Sequence, residues 1–179
     1  MNKLIASVAL LACVALSGCA ATVQRPSTPV ERLDIPAAAT SRILLHVKGT
    51  PEVAASDGWQ EFRAEWRSAM AATAAEAGRE FVYLDTLPAS FDKAGTLVVV
   101  TISDYRHVST GARYGLGVMT GNARVEADAS FHVLPGNTLA GTRGYSTSSS
   151  AWQGIFAAMT SKQVAAITAQ MLEEIDSRN

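Results

Sequence analysis

An α+β fold, with a mixed, largely antiparallel sheet packed by two amphipathic helices, is predicted for these 179 residues from three observations. Ala123 to Leu134 alternates apolar and polar residues without a break, the period of a strand with one buried and one wet face. Thr96 to Tyr105 ("TLVVVTISDY") is β-branched and apolar on both faces at its centre, as in an interior strand covered on both sides. Two other stretches repeat apolar residues at helical spacing, one mid-chain and one near the C-terminus. The expected element order is β-α-β-β-β-β-α.

The first strand is "RILLHV", Arg42 to Val47, closed by turn residues at Gly49-Thr50-Pro51. Asp57-Gly58-Trp59-Gln60 reads as a helix start, with Asp57 as N-cap and Gln60 reaching back. Trp59, Phe62, Trp66, Ala69, Met70, Thr73 and Ala77 then form one stripe, and Gly78 stops the helix. "EFVYLD", Glu80 to Asp85, is the second strand, followed by the two strands above. Pro135-Gly136-Asn137-Thr138 is turn chemistry that leads into a last strand over Leu139 to Ser148. Thr160-Ser161-Lys162-Gln163 has the pattern of a capping box, and Val164, Ile167, Met171, Leu172 and Ile175 mark the buried face of the final helix.

The N-terminus is of a different kind. Lys3 precedes an uncharged apolar run from Leu4 to Leu16, shorter than the roughly 20 residues a spanning helix needs. A basic start, an apolar run of this length and small residues after it form a secretory signal. Leu16-Ser17-Gly18-Cys19 at its end resembles the lipobox of bacterial lipoproteins. That resemblance implies diacylglyceryl transfer to the Cys19 thiol, cleavage before Cys19, and acylation of the new amine. It also makes Leu16, Ser17 and Gly18 the residues read by the signal peptidase. Ala20 follows, where an aspartate favours inner-membrane retention in Gram-negative lipoproteins, so the implied address is the periplasmic side of the outer membrane. Residues 1–18 are therefore expected to be a signal peptide. Residues 19–41, with Pro26, Pro29 and Pro36, are expected to be a lipidated, semi-extended tether. Residues 42–179 are expected to form one globular domain.

Composition narrows the function classes. Cys13 would leave with the leader, so the mature chain has no second cysteine for a disulfide, and its stability must come from packing. A domain of about 140 residues buries roughly two thirds of its unfolded surface, which is sufficient. The formal net charge is -1, and no basic patch calls for nucleic acid. Plentiful alanine and only 7% aromatic residues point to a core of small side chains.

No motif names a reaction. Gly111, Gly115, Gly117 and Gly121 lack the spacing of a dinucleotide loop and lead into a strand, and no Gly-Lys-Ser/Thr is present. They serve either as a hairpin connection or as a loop presenting Leu116, Val118 and Met119 to a partner. His46, His107 and His132 show no metal-ligand spacing. Asp128 and His132 share a strand face but lie about 13 Å apart, too far to pair. Ser146 to Ser150 supplies hydroxyls without a nucleophile elbow. Trp152, Ile155, Phe156 and Met159 form a short helical stripe that suits core packing, or an apolar ridge for a partner.

"RYGLGVMTGNARVEADASFHVL" (113–134), a turn, and then "GYSTSSSAWQGIFAAMTSKQVAAITAQMLEEI" (144–175) together resemble the bacterial lipoproteins of domain of unknown function 4410. The shared features are a glycine-rich approach to an alternating strand, a hairpin, a polar stretch and a terminal helix. Family hairpins often carry an aspartate near the turn, where this chain has Leu134-Pro135-Gly136-Asn137. The resemblance implies no catalytic residues. The resulting expectation is an outer-membrane-anchored periplasmic lipoprotein with a non-catalytic binding or envelope-assembly role. Its partners would be the membrane, through its lipid, and an envelope protein; no cofactor or metal is expected, and the oligomeric state is not legible. A periplasmic hydrolase acting on envelope material and a small-ligand-binding lipoprotein are the alternatives.

Overall fold

The computed structural model describes residues 23–24, 31–106, 124–148 and 159–176. Six strands form one sheet: β1 (Val23–Gln24), β2 (Arg42–Gly49), β3 (Glu80–Tyr83), β4 (Gly95–Arg106), β5 (Arg124–Leu134) and β6 (Thr138–Ser148). Their spatial order is β1-β6-β5-β4-β2-β3. β2 runs parallel to both β3 and β4, and the remaining pairs are antiparallel. The helices are a one-turn α1 (Pro51–Ala54), then α2 (Trp59–Glu76) and α3 (Met159–Asp176). The predicted α+β class, mixed sheet and two long helices are all present, and each predicted strand appears within two residues of its expected ends.

Both long helices cover the same face of the sheet. Ile43, Leu45 and Val47 of β2, Val98, Val100 and Ile102 of β4, and Val125, Ala127, Ala129 and Phe131 of β5 share one core. Phe62, Trp66 and Met70 of α2 meet them there, with Val164, Ile167 and Met171 of α3. Each large side chain taken out of water contributes about 1.5–3 kcal/mol, so this one layer supplies most of the stability. The two helices touch each other, and the Thr73 and Thr168 hydroxyls hydrogen-bond across the contact at 3.1 Å. On the opposite face Leu44, Leu97, Val99 and Leu134 are covered by the chain from β3 to β4, with Leu84 and Phe91 packed over them. This second cover explains why the centre of β4 is apolar on both sides.

Three local expectations are corrected. α2 is capped by Gly58 at φ 81, with no side-chain hydrogen bond, rather than by Asp57; the Asp57 carbonyl accepts from the Tyr105 hydroxyl at 3.3 Å. Thr160 lies inside the first turn of α3 rather than capping it. It is buried, and its hydroxyl has no partner among the described residues. Ala77 is exposed instead of closing the apolar stripe, because the helix ends there. Gly78, at φ 66, does stop α2: the Arg79 amide bonds the Ala74 carbonyl and the Gly78 amide bonds that of Ala75, a Schellman closure.

The largest correction concerns the tether. The folded part starts well before Arg42. Val23 and Gln24 pair with Thr147 and Ser146 at the edge of the sheet. The Glu31 carbonyl accepts from Arg143. Leu33 is 6% exposed and belongs to the main core, with Ile35 against it. The Ala39 carbonyl accepts from the buried Thr96 hydroxyl at 2.9 Å. Residues 31–41 thus form a strap, not a free linker. Leu33 and Ile35 alternate as in a strand, and Pro36 is extended at φ -60, ψ 145 before a single 3-10 turn at Ala37–Ala39, so the segment packs on the sheet and bonds to its neighbours. Space for Leu33 is made by Gly141, where a Cβ would come within 2.7 Å of Leu33 Cδ2.

Arg143 closes this corner. It pairs with Glu174 of α3 and donates to the carbonyls of Glu31 and of Thr142, the latter at 2.8 Å. Glu174 and Asp176 sit in the last turn of α3, where the helix dipole disfavours carboxylates. Arg143 and Arg79 supply the offsetting charge. Arg143→Ala should therefore lower stability by about 2–3 kcal/mol, because it takes the neighbouring positive charge from a mostly buried carboxylate and a donor from two carbonyls. Urea denaturation of the purified domain measures this; a loss below the error of the fit would mean the strap is held by its apolar residues alone.

Candidate functional site

β2 and β4 are parallel neighbours whose connections leave to opposite faces. From β2 the chain crosses to β3 through α2 on the helical face. From β3 it returns to β4 over the other face, as the Leu84 and Phe91 contacts record. In open sheets, the crevice beyond the carboxyl ends of strands at such a switch is where ligands tend to bind. The described pocket lies there. It has a volume of about 390 Å³ and is lined by Glu52, Val53, Ser56, Asp57, Ser103, Asp104 and Tyr105. That size lies within the range of small-ligand sites.

Each wall has a local cause. On one side, the Thr50 amide bonds the Ile102 carbonyl at 3.0 Å, and the Thr50 hydroxyl accepts from the Val53 amide at 3.4 Å. Pro51 follows at the first helical position, where its missing N–H is no loss. This fixes α1 and brings Ser56 and Asp57 over the strand ends. On the other side, the β4–β5 register shifts between Ile102 and Asp104, and this bulge re-aims Ser103 and Asp104 at the rim. Tyr105 joins pocket to core. Its ring stacks on Phe62 with centroids 4.3 Å apart and planes 2° from parallel. Its hydroxyl lies 2.8 Å from that of Ser56 and donates to the Asp57 carbonyl at 3.3 Å.

Asp104 is ion-paired with Arg124, which also reaches Glu126 at 3.7 Å. Among the described residues Glu52 and Asp57 make no ion pair, so the pocket offers carboxylates and hydroxyls at a rigid aromatic wall. The Ser56 hydroxyl donates to the Val53 carbonyl at 2.6 Å. No group of three His, Cys, Asp or Glu able to hold a metal ion occurs among the described residues.

A second polar grouping occupies the uncovered part of the sheet. His132 Nδ1 faces the Asn137 carbonyl at 3.4 Å, and Nε2 faces the Ser130 hydroxyl at 3.1 Å. With Nδ1–H donating to the carbonyl, Nε2 accepts from Ser130. Asp128, four residues along the same strand, is not part of the pair, as the strand rise requires. His46 is a structural residue whose Nδ1–H donates to the Leu84 carbonyl at 2.9 Å, holding the β3–β4 connection down.

Leu16, Ser17, Gly18, Cys19, His107, the Gly111–Gly121 loop with Leu116, Val118 and Met119, and Trp152, Ile155 and Phe156 are all outside the described residues. Sequence reasoning passed over the pocket, treating Asp57 as a cap and Tyr105 as a strand end. The available signal was a polar Ser-Asp-Tyr finish on an apolar strand, and a Ser-Asp-Gly turn after the preceding parallel strand.

Among the described residues, no helix is long and apolar enough to cross a membrane. No family model matches the chain, and no curated protein matches it. Several solved structures are similar in shape. The PelC dodecamer from Paraburkholderia phytofirmans aligns with a TM-score of 0.49 and 13% identity, over 88% of this chain and 99% of that one. A point variant of the same dodecamer gives 0.47 and 11%, over 88% and 98%. Protein XCC0632 from Xanthomonas campestris gives 0.47 and 8%, over 85% and 90%.

Proposed function

We propose that this chain is a lipoprotein anchored through Cys19 in the outer membrane and facing the periplasm, with a domain that has a non-catalytic binding or envelope-assembly role. The observation that carries the reading is Leu16-Ser17-Gly18-Cys19 behind a basic start and an uncharged apolar run. The resemblance to the family of domain of unknown function 4410 points the same way. The partner is an envelope protein, and Leu116, Val118, Met119, Trp152 and Phe156 are the apolar side chains offered to it. The pocket at the ends of β2 and β4 favours a binding role, because its hydroxyls are committed to carbonyls and to each other.

The test is crosslinking and affinity capture of the full lipidated protein from intact cells, with wild type compared against Leu116→Asp and Met119→Asp. A reproducible envelope complex that both variants lose, at unchanged Tm, is the expected result. A large fall in Tm would place those side chains in the core and end their role as a partner surface. A periplasmic hydrolase is the second reading, favoured by the Ser130–His132 hydrogen bond. Ester hydrolysis by the wild type that Ser130→Ala abolishes would move the assignment there.

A further inference from the structure

The strap places the anchor at a defined end of the domain. The chain before Arg42 runs one way over the sheet: Val23 opposite Thr147, Glu31 at Arg143 and Leu33 over Gly141 on β6, then Ala39 at Thr96 of β4. The register then sorts the sheet into two ends. Val23, Thr147, Arg124, Arg106 and Gly49 lie at one. Arg42, Gly95, Leu134 and Thr138 lie at the other. β5 alone is 11 residues long, so the ends are about 34 Å apart.

Cys19 is four residues before Val23, so the chain allows it no more than about 14 Å from the first end. A tether running free to Arg42 would allow about 75 Å and every orientation. We infer that the end carrying Val23, Arg124 and the Glu52–Tyr105 pocket is the surface this protein lays against the lipid headgroups, with the Pro135–Asn137 turn pointing away into the periplasm. This rests on the lipid-anchor reading and adds a face and a distance to it. The occupant is a lipid leaflet because the chain length from Cys19 leaves room for little else between that end and the membrane. The candidate site is then a membrane-side site, open to headgroups and to partners lying in the bilayer plane.

The mature chain has no thiol besides Cys19, so single cysteines can be placed and labelled uniquely. Ala55→Cys near the pocket and Thr138→Cys at the far turn are both exposed positions. Each full-length lipidated variant carries a fluorophore and is reconstituted in phosphatidylethanolamine–phosphatidylglycerol vesicles doped with a headgroup-nitroxide lipid. The expected result is loss of most of the fluorescence at position 55 and almost none at position 138. Equal quenching at both positions, or stronger quenching at 138, overturns the orientation. Vesicle flotation and the mass of the N-terminal peptide are read in the same samples. Flotation with modified Cys19 but equal quenching removes the orientation alone. No flotation with unmodified Cys19 removes the anchor, and the orientation with it.

Discussion

Cys19→Ala is expected to move the protein from the membrane fraction to the soluble fraction, with its folded domain intact. The reason is additive burial. Each methylene of an acyl chain in the bilayer contributes about 0.8 kcal/mol; one chain holds only marginally, whereas two or three hold stably. Removing the thiol removes the diacylglyceryl group, and without it the amine is not exposed for the last chain. The leader that then stays attached, Leu4 to Leu16, is shorter than the roughly 20 residues a spanning helix needs, and no helix among the described residues is long and apolar enough to cross a membrane. Fractionation of cells expressing each form, with the thermal transition of the released domain as a folding control, checks this. Retention of the alanine variant in the membrane fraction would refute the lipobox reading of Leu16 to Cys19.

Phe62→Ala is expected to destabilise the domain by about 3–5 kcal/mol, a large share of the 5–15 kcal/mol of a typical domain. Phe62 is fully buried in the helix-sheet layer. It contacts Trp66 edge-on, with centroids at 6.3 Å and an 82° angle, and Trp59 at 6.3 Å. It also carries the stacked Tyr105, so its loss should loosen the pocket wall as well as the core. Phe62→Leu keeps most of the volume and should cost about 1 kcal/mol. Urea denaturation of both variants separates the cases: equal, small losses would mean that the aromatic cluster is not where this core draws its stability.

Much of the architecture was legible because burial writes its period into the chain. The strands 96–105 and 123–134 announced one two-sided and one one-sided element, and the apolar spacing of Val164, Ile167 and Met171 marked a helix face. The strap was not legible, since three prolines among Ser, Thr and Ala read as a linker and only Leu33 and Ile35 hinted otherwise. The pocket was not legible for a different reason. Ser56 and Tyr105 meet across 49 positions, and neither is unusual where it stands.

Local pattern was enough for the kind of each element and its buried face, because these depend on residues within a few positions of one another. Strand order, the parallel pairing of β2 with β3 and β4, the choice of sheet face for both helices, the Arg143 corner and the pairing of Val23–Gln24 with β6 arose only on folding. Their partners lie tens of residues apart, and the free energy that selects them belongs to long-range contacts no local window contains.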